Sequence, residues 1–232
     1  MEEKKPRTLL VPVQGIYEEK KSRFLCDLFY TETEAEADRA LAQVRKKYYD
    51  ARHHCSALIL RNGENGPFHH ASDDGEPQGT AGRPMLEVLK NENLVNIFAV
   101  VTRYFGGTLL GTGGLVRSYT KAVQDAVARS SFLTVETGVP VSFDAPYTLS
   151  GKLEYLIETN RIPVISKTYE EAVRFRLMLP QADTDRLLVL LQEASGGQLI
   201  VTAGPPEAYA LHGHTVLTGN ALRPAQTFSG SG

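Results

Sequence analysis

The chain has 232 residues, 42% of them hydrophobic, with 25 Lys and Arg against 27 Asp and Glu and a formal charge of −2. That is enough apolar material for one large domain or two small ones, and it excludes a wholly disordered chain. The balanced charge excludes a histone-like polycation, so any nucleic-acid surface is local, and the longest apolar runs, 97–101 and 187–191, fall far short of the roughly 20 residues that cross a bilayer.

The opening Met1-Glu2-Glu3-Lys4-Lys5-Pro6-Arg7 mixes both signs, unlike a signal peptide, so the expected location is cytoplasmic, with no membrane association. Two apolar-rich runs, 8–13 and 23–30, flank Gly15 and a charged Glu18-Glu19-Lys20-Lys21 turn and read as a hairpin. Thr31 with Glu34, or Thr33 with Glu36, offers a capping box to a helix whose Ala37, Ala40, Leu41 and Val44 recur at helical spacing. Strands are expected at 56–60 and 94–102, with a short helix at 84–90 between them, because Pro84 suits a first helical position. After Gly114 a second helix carries Leu115, Tyr119, Ala122, Val123, Ala126 and Val127 on one stripe, with Arg117 and Lys121 on the other side. Cys26 and Cys55 lie in strand-like stretches and read as free buried thiols.

Past Glu136 a strand and a helix restart the pattern: Val139, Val141 and Phe143 alternate, and Leu149, Leu153, Leu156 and Ile157 follow at helical spacing. A hairpin at 162–165 and 173–179 follows, then a helix capped by Asp183 and ended by Gly196-Gly197, then a strand at 199–201. The order βαββαβ is that of a ferredoxin-like domain. The division expected is therefore 1–136, 137–204 and, from the weakly charged, aperiodic stretch ending in Ser229-Gly230-Ser231-Gly232, a flexible tail over 205–232. The class is α+β with two domains.

Three stretches carry residues able to do chemistry. Arg103-Tyr104-Phe105 leads into Gly106, Gly107, Gly111, Gly113 and Gly114, five glycines in nine residues ahead of a helix. Such a loop either makes a tight crossover or offers backbone N–H donors to an anion, although neither a P-loop nor G-x-G-x-x-G is present. Ser72-Asp73-Asp74-Gly75-Glu76-Pro77 places three carboxylates within four residues, either a polar turn or a seat for a divalent cation. His53-His54-Cys55 and His69-His70 supply four of the six histidines, but alternation lets only one of each pair face a given cleft, and no zinc-ligand spacing is present. A Cys55 nucleophile would need His53 as its base, and no third orienting group is evident. No metal ligand set and no catalytic residue is assigned.

These three motifs, in this order from about Lys20 to Val201, resemble the bacterial, YigZ-like branch of the IMPACT family: Ala51-Arg52-His53-His54-Cys55, then 72–77 with Gly79-Thr80-Ala81-Gly82, then 103–107 through 110–117. The resemblance implies an N-terminal domain of the ribosomal protein S5 domain 2-like fold and a C-terminal ferredoxin-like domain. The pair is similar to the last two domains of elongation factor G, which by fold analogy implies contact with RNA or the ribosome. Eukaryotic relatives share only the first domain and act in translational control through protein partners. No assigned reaction comes with the family. The expectation is a translation-linked RNA- or ribosome-binding protein in which Arg103, Arg117 and Lys121 supply counter-charge and Tyr104 stacks a base. His53, His54, Asp73, Asp74, Glu76 and Arg83 would line the same cleft, with Arg83 or Mg²⁺ neutralising the acids; no other cofactor is expected. Two alternatives stand: a Mg-dependent nucleotide or phosphate-ester enzyme using the glycine loop, and a protein-docking module.

Overall fold

The structure is a computed structural model that describes residues 5–63 and 66–223. The described chain divides into two compact units, one running to Leu133 and including Arg223, the other Thr134–Leu222.

The first unit comprises β1 (Arg7–Val11), β2 (Gly15–Glu19), β3 (Ser22–Tyr30), α1 (Glu34–Lys47), β4 (His53–Gly63), β5 (Gly66–Ser72), α2 (Gly82–Asn91), β6 (Ile97–Tyr104) and α3 (Gly111–Arg129). Its antiparallel sheet has the order β2-β3-β6-β4-β5. Strand β6 lies at the centre and is buried along both faces, which is why 97–101 reads as an unbroken apolar run rather than an alternating one. On one face Phe24, Cys26, Cys55, Ala57, Ala99 and Val101 pack beneath α2 and α3. On the other, Leu58, Leu60, Phe98 and Val100 receive Ala37, Ala40 and Val44 of α1. Thr33 is the N-cap of α1: its Oγ1 accepts from the Glu36 N–H, and Glu36 Oε2 accepts from the Glu32 N–H.

Three local expectations change. The hairpin joins β2 to β3, not 8–13 to 23–30, and its two-residue turn is Lys20-Lys21, both left-handed at φ 46° and 64°. Strand β5 was hidden in the sequence because a sheet-edge strand of mostly exposed residues needs no apolar alternation. Helix α3 starts at Gly111 rather than after Gly114, so three of the glycines form its first turn.

The second unit comprises β7 (Ser131–Ala145, entering from the first unit), α4 (Tyr147–Thr159), β8 (Val164–Tyr169), β9 (Val173–Pro180), α5 (Thr184–Ser195), β10 (Thr202–Ala203), β11 (Glu207–His212) and β12 (Thr215–Thr218). Strands β10, β7, β9 and β8 lie side by side and antiparallel, the ferredoxin-like arrangement. Phe143 and Phe175 stack at 5.2 Å between the sheet and the helices, with Leu153, Ile157, Leu187 and Leu191 above them. Asp183 stands at the N-cap of α5 without a side-chain capping bond, and Gly196 closes that helix in the left-handed region. The expected strand at 199–201 is displaced to Thr202–Ala203, because Leu199 turns into the core. The expected flexible tail also needs correction. Residues 207–218 form a hairpin whose Tyr209 is buried against Gly138, with Leu222 buried just beyond. The final Ser229-Gly230-Ser231-Gly232 lies outside the described residues. Among the described residues, no helix is long and apolar enough to cross a membrane.

Candidate functional site

Strands β5 and β6 run in the same direction, and each feeds a helix at the same end of the sheet. The loops 73–81 and 105–110, the starts of α2 and α3, and the tip of the β2–β3 hairpin therefore gather there. Close contacts tie them together. Gly106 N donates to Ser22 Oγ at 3.0 Å, and a Cβ on Gly106 would lie 2.1 Å from the Lys21 carbonyl carbon, so only glycine allows this approach. Arg103 reaches from β6 to Glu76 of the other loop, Nη1 to Oε1 at 2.5 Å.

The acidic motif is used up inside the fold. Asp73 accepts three backbone N–H bonds, from Gly79 at 2.7 Å, Ala81 at 3.0 Å and Gly82 at 2.9 Å, and so holds the start of α2. Partial burial works against its charge, but the three donors outweigh it and hold its carboxyl below the ordinary range. Asp74 accepts from the His54 N–H at 2.7 Å and from Arg45 at 2.8 Å. Glu76, 8% exposed, takes Arg103 and the Tyr119 hydroxyl (2.8 Å) on one oxygen. Asp73 and Asp74, the residues expected to seat Mg²⁺, thus have their oxygens committed to N–H donors, and the donor set does not fit that ion. Among the described residues, no cluster of three His, Cys, Asp or Glu side chains suits a metal.

The histidine motif is likewise internal. His53 Nδ1 lies 2.9 Å from the Asp74 carbonyl. His54 is buried with Nε2 on the Tyr48 carbonyl, and burial pushes its pKa down. Cys55 lies 3.3 Å from the Tyr119 hydroxyl and donates to the Asp73 carbonyl; burial pushes its thiol up to about 12, the reverse of an activated nucleophile. Cys26 and Cys55 are both free and buried, as expected.

Two residues expected to meet RNA are placed otherwise. Arg103 is 7% exposed, with its guanidinium paired to Glu76 and set between the rings of Phe24 and Phe105 (5.6 and 5.8 Å). Its charge is neutralised within the protein. Tyr104 is the next residue on β6 and therefore points to the opposite sheet face; its hydroxyl donates to Asp50, and burial together with that carboxylate pushes its pKa up to about 12. The ring standing open at this end is Phe105, 57% exposed, and Leu109 beyond it is 83% exposed. Gly107 and Gly111 turn this loop with φ of 84° and 69°, Gly113 faces open space, and Gly114 is buried.

The expected cations Arg117 and Lys121 are exposed on α3. Arg117 has no ion pair or side-chain hydrogen bond among the described residues, and Lys121 lies over the Tyr17 ring at 5.0 Å. Sequence reasoning missed Lys20 and Lys21, which it read only as a polar turn. Strand β2 runs against α3, with Gly15 beneath Ala122 and Ala126 and Tyr17 beside Lys121. The two lysines at its tip, exposed and unpaired among the described residues, therefore extend the row begun by Lys121 and Arg117. Arg83 forms no ion pair with these acids among the described residues and lines an open groove between α2 and α3.

Residues 20–127 match the Impact N-terminal domain, and residues 143–198 match a domain of unknown function, DUF1949. YvyE of Bacillus subtilis (strain 168), named an IMPACT family member, is 37% identical over 185 residues, 80% of this chain and 84% of that protein. YigZ of Escherichia coli (strain K12), also named an IMPACT family member, is 36% identical over 198 residues, 83% of this chain and 94% of that one. The chain belongs to the IMPACT family. An IMPACT homologue of Dictyostelium discoideum is 40% identical over 97 residues, 40% of this chain and 27% of its own. A crystal structure described as a hypothetical protein is 34% identical, with a TM-score of 0.55, over 88% of this chain and 98% of that one. The family assignment agrees with the two units and with the motif order.

Proposed function

We propose that this IMPACT family protein is a translation-linked binding protein without catalysis, and that the loop end of its first unit engages the phosphate backbone of single-stranded RNA. One observation carries the reading: at that end Asp74 is paired with Arg45, Glu76 with Arg103, and Asp73 is bonded to three backbone N–H groups, whereas Lys20, Lys21 and Arg117 have no acidic partner among the described residues and Lys121 meets only Tyr17. A chain of charge −2 thereby presents a local positive strip, suited to contacts that position phosphates. Phe105, one ring face against Arg103 and the remainder exposed, takes over the base-stacking role first given to Tyr104. The nucleotide-enzyme alternative would need a Mg²⁺ seat other than Asp73 and Asp74, whose oxygens meet N–H donors of the fold. A protein-docking surface would draw on exposed Phe105 and Leu109 and depend much less on the cations.

Replacing Lys20, Lys21, Arg117 and Lys121 together by Gln tests the proposal in the full chain. Fluorescence anisotropy with labelled single-stranded RNA should show binding lost while circular dichroism and melting are retained. Unchanged affinity in the folded variant would refute it.

A further inference from the structure

The exposed sides of α2 and α3 leave an open groove of about 400 Å³, lined from α2 by Arg83, Glu87 and Asn91 and from α3 by Val116, Thr120 and Gln124. The helices run in the same direction and each trio steps by four residues, so the lining side chains follow in the order Arg83, Glu87, Asn91 along α2 and Val116, Thr120, Gln124 along α3. Pro84 and Val88 also line it. From Arg83 to Asn91 is about 12 Å along the helix. The groove lies on the α2 side of the crest whose other side carries Arg117 and Lys121. Arg83 has no ion pair or side-chain hydrogen bond among the described residues, and neither Asn91 nor Gln124 has a side-chain partner there.

We infer that this groove receives one unstacked adenine nucleotide of the RNA strand held on the neighbouring cations, with its phosphate at Arg83 and its base between Asn91 and Gln124. The inference rests on the RNA reading above and adds base selection to it. The order of groups follows the order of a nucleotide. A guanidinium at one end suits phosphate. A carboxylate and a hydroxyl in the middle, Glu87 and Thr120, suit ribose hydroxyls; Glu87 Oε1 lies 3.7 Å from Lys90 Nζ, and its other oxygen as an acceptor favours RNA over DNA through the 2′-OH. The carboxamides of Asn91 and Gln124, each last in its row, each offer the acceptor and donor that complement adenine N6 and N7. Glu92, at the same end, is held by Arg7 at 2.6 Å and is not free to compete. The same chemistry would accept free adenosine monophosphate, so the source of the nucleotide is part of the test.

The test compares oligo-A with oligo-U, labelled and of equal length, against the full chain at fixed salt. The wild type should prefer oligo-A by about fivefold or more. Asn91→Leu with Gln124→Leu, two exposed positions, should bring that ratio near one and leave the salt dependence unchanged. The Arg117→Gln, Lys121→Gln variant should weaken both oligomers and keep the ratio. Adenosine monophosphate competing for the wild type but not for the leucine variant also supports the groove. Equal binding of oligo-A and oligo-U by the wild type, or a ratio unaffected by the leucine pair, overturns the strand-borne nucleotide in the groove and leaves the RNA surface standing. Adenosine monophosphate binding in the absence of any oligo-A preference assigns the groove to a free nucleotide and overturns the strand-borne one. Failure of both oligomers to bind overturns both.

Discussion

Replacing Glu76 by Gln should be among the more damaging single changes outside the apolar core. The Glu76 and Arg103 side chains are 4% and 8% exposed and meet at 2.5 Å, and Arg103 Nε already lacks a partner. Removing the negative partner leaves a cation inside the protein between Phe24 and Phe105 with nothing to balance it. Breaking a buried pair in this way costs about 3–5 kcal/mol, and the Tyr119 hydroxyl loses a charged acceptor as well. For a unit of this size that corresponds to a fall in Tm on the order of 10 °C. Changing both partners to apolar residues of similar volume, Glu76→Leu with Arg103→Met, should recover most of the loss, because the cost lies in the unpaired charge rather than in the absence of the pair. Thermal and urea unfolding of Glu76→Leu, Arg103→Met and the double variant form a double-mutant cycle. A loss below about 1 kcal/mol for Glu76→Gln, or a double variant as unstable as the singles, would refute the claim that this pair is sealed from water.

Cys55, with its thiol pushed up to about 12, and buried Cys26 should both resist alkylation at pH 8 in the folded protein and react fully in denaturant; rapid labelling of the native protein, read by mass spectrometry, would contradict their burial. Asp27 has a raised pKa because burial outweighs the help of Lys47 and Gln14, and its Oδ2 has no partner. Its contribution to stability is therefore present at acid pH and lost as the pH rises through the folded value, so Asp27→Asn should gain Tm relative to wild type between pH 4 and 8; a gain that shrinks over that interval would reverse the sign. Gly106→Ala would force a Cβ within 2.2 Å of the Ser22 nitrogen, and a cost of about 1–3 kcal/mol is expected in urea unfolding, with a neutral effect counting against the close packing of loop and hairpin.

What the sequence discloses follows from how many faces a residue must satisfy. The run 97–101 is readable because a central strand is apolar on both sides, and α1 is readable because Thr33 and Glu36 sit at capping distance ahead of a stripe. Strand β5 is not, since the exposed positions of an edge strand impose no pattern, and residues 207–218 are not, because Tyr209 finds its partner Gly138 about seventy positions earlier. The motifs meet at one end of the first unit, but most of their polar side chains are bonded inside the fold. Arg103 and Glu76 look alike in sequence whether they face a ligand or each other, and their pairing across 27 residues appears only with the fold. Lysine has no preference for left-handed turns, so nothing in Lys20-Lys21 announced a presented pair of ammonium groups. The groove depends on two helices separated in sequence by β6 lying side by side, which neither helix announces by itself.

The central claim is that four cations at one end of the first unit hold an RNA strand by its phosphates. Its most direct measurement is the dependence of single-stranded RNA affinity on salt concentration for the full wild-type chain. With about four phosphate contacts the log-log slope should lie near roughly −3, and Arg117→Gln with Lys121→Gln should make it shallower by about 1 or more. A slope near zero, or one identical in wild type and variant, would contradict the account.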